Sequence, residues 1–237
     1  INAAPLPAVL PISPAYTEAH SMSVLCLIAN PAEPALDTSL VATIHHETGG
    51  EINWLEHGVA CDIVSPAAGK PLEIAREAIG DRPIDCALLP LANRRKKLLL
   101  ADMDSTMIEQ ECIDELADAV GLKEQVAAIT ARTMRGELDF ESALRTRVAL
   151  LKGLSRAAIE AVRRDKITLA PGGRTLVQTM KAFGAHTVLI SGGFALFADY
   201  IAKRIGFDEA FANTLEFDGD TLTGTVAEPI VGRSSKL

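Results

Sequence analysis

Asp102 and Asp104, two carboxylates separated by one residue, are the side chains of this sequence best placed to do chemistry. Carboxylates in such a pair serve as nucleophile, as proton donor and acceptor, or as ligands of a hard cation. They follow Lys97–Ala101, a short apolar run with the pattern of a strand buried on both faces of a sheet. If the extended geometry persists, both carboxylates fall on one side and Met103 points away. Open α/β sheets bind ligands at the carboxyl ends of their strands, so reactive groups belong there. An ordinary strand running into an Asp/Ser turn has the same composition, and the residues alone leave both readings open. A second candidate is Ser191-Gly192-Gly193, which follows the β-branched run Thr187–Ile190 and precedes a helical stretch. A strand passing through Ser-Gly-Gly into a helix presents N–H groups and a hydroxyl to an anion, although a plain glycine turn reads the same in isolation.

The elements that must position these residues can be read from periodicity. From 22 to 90 the order is strand Ser23–Ile28, helix Pro34–His46, strand Ile52–Glu56, strand Val59–Val64, helix Pro71–Ile79 and strand Ile84–Leu89. This is βαββαβ, a ferredoxin-like α+β unit. Residues 1–21, rich in Ala and Pro, read as a disordered lead without the basic start of a secretory signal, and Met22 is the expected true start. Arg94-Arg95-Lys96-Lys97 reads as a solvated linker rather than a phosphate patch. After the carboxylates, helices are expected at Glu109–Val120, Lys123–Thr133, Asp139–Leu151 and Ser155–Arg164, forming an all-helical insertion. Helices Arg174–Phe183 and Ala195–Ile205 follow, then a hairpin turning at Asp218-Gly219-Asp220.

Composition narrows the function. With 31 acidic against 23 basic residues, the net charge of −8 argues against a nucleic-acid or anionic-membrane binder. No apolar run approaches a membrane span. Cys26, Cys61, Cys86 and Cys112 lack Cys-x-x-Cys spacing and read as reduced core residues of a cytoplasmic protein. The five histidines show no paired ligand spacing, and His45-His46 reads as helix surface.

The run Asp102-Met-Asp-Ser-Thr106 resembles the first motif, Asp-x-Asp-x-Thr, of the haloacid-dehalogenase-like (HAD) phosphatases. Extended through Glu111, it resembles within that superfamily the phosphoserine phosphatases, and the resemblance continues from about residue 93 to Leu237. It implies a HAD-like parallel α/β sheet over 93–237 with a helical cap at about 110–170, preceded by an ACT-like domain over 22–92 whose default role is structural or dimerising. The implied reaction is hydrolysis of O-phosphoserine, the last step of serine synthesis, through an aspartyl-phosphate with Mg²⁺. In it Asp102 is nucleophile and Asp104 the acid and base, both meeting the metal. Ser191 and Gly192 match the second motif and Lys236 the third, all toward phosphate. Glu111 corresponds to the residue that binds the substrate amino group, Arg147 to the one that binds its carboxylate, and Met134 and Phe140 to the apolar cap lining. Arg145, Glu109 and Glu115 read as solvated helix charges. The fourth motif, Gly-Asp-Gly-x-Asn-Asp, is not found. The resemblance therefore implies an incomplete copy with an exposed strand edge at Leu98–Leu100, weakened magnesium binding and aggregation. The alternatives are a phosphatase or phosphotransferase for another small phospho-metabolite, and an inactive fragment acting through its first domain.

Overall fold

A computed structural model of the protein describes residues 22–67 and 69–232, with two compact units dividing after Arg94. The expected lead at 1–21 and Lys236 lie outside the described residues, as does the side chain of Met134.

The first unit contains β1 (Ser23–Ala29), α1 (Thr38–Thr48), β2 (Glu51–Glu56), β3 (Ala60–Val64), α2 (Pro71–Ile79) and β4 (Ile84–Pro90). Its sheet is antiparallel in the order β2-β3-β1-β4. Alternation puts Leu25 and Leu27 of the central strand into a core with Leu40, Val41 and Ile44 of α1 and Ala75 and Ile79 of α2. Helix α1 starts four residues later than its apolar pattern predicts, because Asp37 caps it by accepting from Leu40 N–H at 2.7 Å. The solvated-linker reading fails at Arg94. Its guanidinium donates to both carboxylate oxygens of Asp62, at 2.5 and 2.8 Å, and to Cys26 Sγ at 3.1 Å. Asp62 lies opposite Cys26 across β1 and β3 and is only 2 % exposed.

The second unit is built on β5 (Leu98–Ala101), β6 (His186–Phe194) and β7 (Glu209–Asn213), parallel and in the order β5-β6-β7. Between β5 and β6 run α3 (Cys112–Ala119), α4 (Lys123–Met134), α5 (Phe140–Leu150), α6 (Arg156–Asp165) and α7 (Gly173–Ala182). Helix α8 (Ala195–Ile205) links β6 to β7, and the hairpin β8 (Leu215–Asp218)–β9 (Thr221–Val226) follows. Asp139 and Ser155 cap α5 and α6 through Ser142 N–H and Ala158 N–H.

Three expectations change here. Strand β5 is not buried on both faces. Among the described residues it is paired on one side only, by β6, and Leu98 and Leu100 are 53 % and 51 % exposed. Helix α3 begins at Cys112, not Glu109, because the N–H groups of Thr106, Met107 and Ile108 donate to Met103 O and that of Glu109 to Thr168 O. Val120, expected on its buried face, lies beyond the last turn and is exposed. Strand β6 continues through Ser191-Gly192-Gly193 to Phe194, with its pairing to β7 irregular after Ile190. Among the described residues no helix is long and apolar enough to cross a membrane.

Candidate active site

Parallel pairing brings the carboxyl ends of β5 and β6 together, with Ala101 beside Leu189. The chain leaves β5 at Asp102, whose Oδ1 accepts from Met103 N–H at 2.8 Å. Met103 is fully buried and anchors the turn, its carbonyl taking the three successive N–H groups that follow. Side chains on either side of it emerge on the opposite face, which is why both aspartates reach the same space. Asp104 is fixed from two directions. Its Oδ1 accepts from Cys112 N–H, the first residue of α3, at 2.8 Å, and its Oδ2 accepts from Ser191 Oγ at 3.1 Å. The start of a helix is a favourable place for a carboxylate.

The single proton of Ser191 is thus given to Asp104, while its oxygen accepts from Gly193 N–H at 2.8 Å. This hydroxyl is buried and links the two strand ends. The glycines beside it are required by close approach. A Cβ at Gly193 would lie 2.8 Å from Asp104 Oδ2, and one at Gly192 would lie 2.9 Å from Phe140 Cζ. The same ring approaches Gly232, where a Cβ would be 3.2 Å from Phe140 Cδ1. Asn213, buried at the end of β7, donates to Gly192 O and Val231 O and accepts from Val231 N–H, tying these segments to the sheet.

These groups line a cavity of about 220 Å³. Asp102, Asp104, Ser191 and Gly192 form its floor, and Glu111, Phe140 and Arg147 come from the helical side. Seven of the nine residues expected in the site therefore meet in one place; Lys236 and the Met134 side chain are the two outside the description. Ile113, Leu144, Gly193 and Phe194 complete the walls. Periodicity marks Ile113 and Leu144 as apolar, but nothing in the sequence says that they border a cavity. Arg145, one residue from a different face of α5, pairs with Glu228 instead.

Opposite charges face the cavity without joining. Glu111 accepts from Ser105 Oγ at 2.7 Å. Burial raises its pKa above the ordinary carboxylate value, the Ser105 hydrogen bond opposes this, and Asp104, Asp114 and Asp102 push it further up. Ser105 itself has a left-handed backbone (φ 50°), which costs about 1–2 kcal/mol for a residue with a Cβ. Arg147 donates to Thr130 Oγ1 and Ala143 O, both at 3.3 Å. Burial draws its pKa down, and Asp114 and Glu111 pull it back. The Cys112 thiol is pushed far up by burial and by Asp104, so it is not a nucleophile here.

The two aspartates form a small donor set, and no cluster of three or more His, Cys, Asp or Glu suited to a metal occurs among the described residues. That set fits Mg²⁺, which keeps water and phosphate oxygens and takes one or two protein carboxylates.

Comparison with known proteins gives a consistent picture. The family model of haloacid dehalogenase-like hydrolases matches residues 99–237. A probable phosphoserine phosphatase of Schizosaccharomyces pombe is 47 % identical over 157 residues, 65 % of this chain and 52 % of that protein. A phosphoserine phosphatase of Polaromonas sp. is 48 % identical over 133 residues, 56 % of each chain. The chain thus spans about half the length of the curated relatives it matches. A solved HAD family hydrolase from Salmonella enterica serovar Typhi superposes with a TM-score of 0.73 at 30 % identity, over 91 % of this chain and 76 % of that one. A substrate-bound phosphoserine phosphatase superposes with a TM-score of 0.53 at 39 % identity, over 56 % of this chain and 63 % of that one. With the family model spanning the greater part of its length, from strand β5 onward, this chain belongs to the haloacid dehalogenase-like hydrolase family.

Proposed function

We propose that this chain hydrolyses O-phospho-L-serine to L-serine and inorganic phosphate through a phosphorylated Asp102. The observation that carries the reading is the placement of Glu111 and Arg147, opposite in charge, around the cavity that holds Asp102 and Asp104. A phosphorylated amino acid presents an ammonium, a carboxylate and a phosphoryl group on a few atoms, and this set of side chains answers each. Relatives called phosphoserine phosphatase, 44 to 48 % identical over the matched stretch, support the same substrate.

In the first step Asp104 enters carrying a proton: an Asp102 oxygen attacks phosphorus, the bond from phosphorus to the serine oxygen breaks, and Asp104 passes its proton to that oxygen. In the second, Asp104 takes a proton from water, the resulting hydroxide attacks phosphorus, and the acyl phosphate releases phosphate and restores Asp102. Fixed by Cys112 N–H and Ser191 Oγ, Asp104 needs little reorganisation for either transfer. Mg²⁺, held by Asp102 and the Asp104 backbone carbonyl, would supply positive charge to the phosphoryl oxygens. Gly192 and Lys236 are assigned to hold the phosphoryl group, and Ser191 joins them once its hydroxyl turns from Asp104. Arg147 is suited to the substrate carboxylate through its planar fork, and Glu111 to the ammonium. Phe140 and Met134 are assigned to keep water from the intermediate.

The test is phosphate release from O-phosphoserine with and without Mg²⁺, for the chain and for Asp102→Asn. The amide keeps the shape of the site but cannot form an acyl phosphate, so turnover is expected to fall by about 10³-fold or more with binding of substrate retained. Turnover by Asp102→Asn near that of the parent excludes the phospho-aspartate route.

A further inference from the structure

The helices α3–α6 form one continuous stretch, so the chain passes between them and the sheet only twice. One passage is the connector from Asp102 to Glu111, the other the connector from Lys166 to Gly172. The two lie antiparallel. Ile108 bridges Leu169, Glu109 N–H donates to Thr168 O at 3.1 Å, and Ala170 N–H donates to Met107 O at 3.0 Å. Met107 and Ile108 are buried beneath this short ladder.

Its outer side is closed by side chains. Gln110 Oε1 accepts from Thr168 N–H at 2.9 Å, and Gln110 Nε2 donates to Thr168 Oγ1 at 2.8 Å. Thr168 Oγ1 in turn donates to Glu109 Oε2 at 2.7 Å. Every donor in this chain of contacts has an acceptor, and the amide and hydroxyl are used in the only orientation that satisfies both. Glu109, expected to be a solvated helix charge, is exposed but lies outside the helix and joins this network. The residue after Gln110 is Glu111, whose backbone and carboxylate are set by how the connector leaves the ladder. Gln110 O also accepts from Ser105 N–H at 3.2 Å, and Ser105 Oγ reaches the Glu111 carboxylate. Gln110 thus grips the neighbouring connector with its side chain and the Ser105 turn with its backbone.

We infer that Gln110 and Thr168 form a clasp that sets the position of Glu111 in the cavity, and so act as positioning residues for recognition of the substrate amino group. This rests on the proposed reading of Glu111 as the ammonium partner. A loosened side-chain clasp leaves Asp104 its bonds to Ser191 Oγ and Cys112 N–H, the latter belonging to the first residue of α3, and leaves the Ser105 N–H bond to Gln110 O, which is backbone. Phosphoryl chemistry on a substrate without an amino group is then unaffected.

The experiment is steady-state kinetics of the full chain with Gln110→Ala, Thr168→Val, the double variant and Thr168→Ser, using O-phosphoserine and p-nitrophenyl phosphate. Either single change is expected to raise KM for O-phosphoserine about three- to tenfold with kcat little altered, the loss of two exposed hydrogen bonds. The double variant is expected to match the singles, because the contacts act as one unit. Thr168→Ser keeps hydroxyl and N–H and should behave as the parent. For p-nitrophenyl phosphate all variants should lie within about twofold of the parent. Equal losses on both substrates, additive losses in the double variant, or no loss at all overturn the clasp. Should the parent not hydrolyse O-phosphoserine, the proposed function falls, and amide exchange decides the clasp separately. Faster exchange at Glu109 and Ala170 in Gln110→Ala supports it, and unchanged exchange overturns it.

Discussion

Each unit of this protein holds a partly buried arginine near a carboxylate, and the two arrangements differ in one respect. In the first unit Arg94 and Asp62 meet through two hydrogen bonds, with Cys26 Sγ beneath. In the second, Arg147 and Glu111 face the same cavity but spend their hydrogen bonds on Thr130, Ala143 and Ser105. Arg147 makes no ion pair among the described residues. A joined pair satisfies itself and offers nothing to a ligand. A separated pair bears the cost of desolvation and waits for a molecule that carries both complementary charges. Recognition belongs where opposite charges share a cavity and do not touch.

The largest effect should come from breaking the joined pair. Arg94→Ala leaves the Asp62 carboxylate buried without its cation, at about 3–5 kcal/mol of stability. Asp62→Ala should cost roughly half as much, since the Arg94 side chain is 31 % exposed and can turn toward water. Urea unfolding followed by the fluorescence of Trp54, the sole tryptophan and a residue of β2 in the same unit, measures both. Equal losses in the two variants would mean that Asp62 also reaches solvent.

Breaking the separated pair should leave stability nearly unchanged and alter recognition. Arg147→Ala is expected to raise KM for O-phosphoserine by about 10- to 100-fold, the loss of a charge-assisted contact of about 1.5–3 kcal/mol. Phosphoethanolamine, which has no carboxylate, should be affected little. Parallel losses on the two substrates would show that Arg147 shapes the helical layer and does not read the carboxylate.

The smallest effect belongs to Glu111. The fold favours the neutral form of Glu111, because its pKa is raised by burial and by neighbouring carboxylates. Its contribution to stability is therefore whole below the ordinary value of 4.5 and is lost as pH rises through the raised value. At neutral pH the ionised side chain works against folding, and Glu111→Gln, measured without metal, should raise Tm by no more than about 1 °C, because the residue is exposed and water screens its neighbours. The gain should vanish as pH is brought below 4.5, where the parent is also neutral. A variant no more stable than the parent at pH 7 would place the carboxylate in open water. The same change should weaken O-phosphoserine binding.

Much of this was legible in the sequence where local chemistry decides the outcome. Helices α2 and α8 match the expected Pro71–Ile79 and Ala195–Ile205, because Pro71 opens α2 and the glycines Gly80 and Gly206 close α2 and α8. The start of α3 was not legible. It depends on Thr168, 59 residues beyond Glu109, which takes the N–H that a helix would have used. Strand β7 escaped because Glu-Ala-Phe-Ala-Asn has little strand propensity, and parallel pairing with β6 makes it a strand. Within the site, motif residues could be named from spacing, but the walls could not. Ser191 shows the limit most clearly. Its sequence context aims a hydroxyl at an anion, and only the fold reveals that its proton already belongs to Asp104, 87 residues away.

The ring of Phe140 has a consequence for how this sequence can change. It occupies the space that a side chain at Gly192 or Gly232 would need, so three positions spread over some ninety residues of sequence share one small volume. Drift at any one of them is then conditional on the others. An alanine at 192 becomes admissible only after 140 has shrunk, to leucine for example, and a shrunken 140 opens a gap that invites the alanine. Along a lineage, these sites should be inherited as a set and replaced as a set.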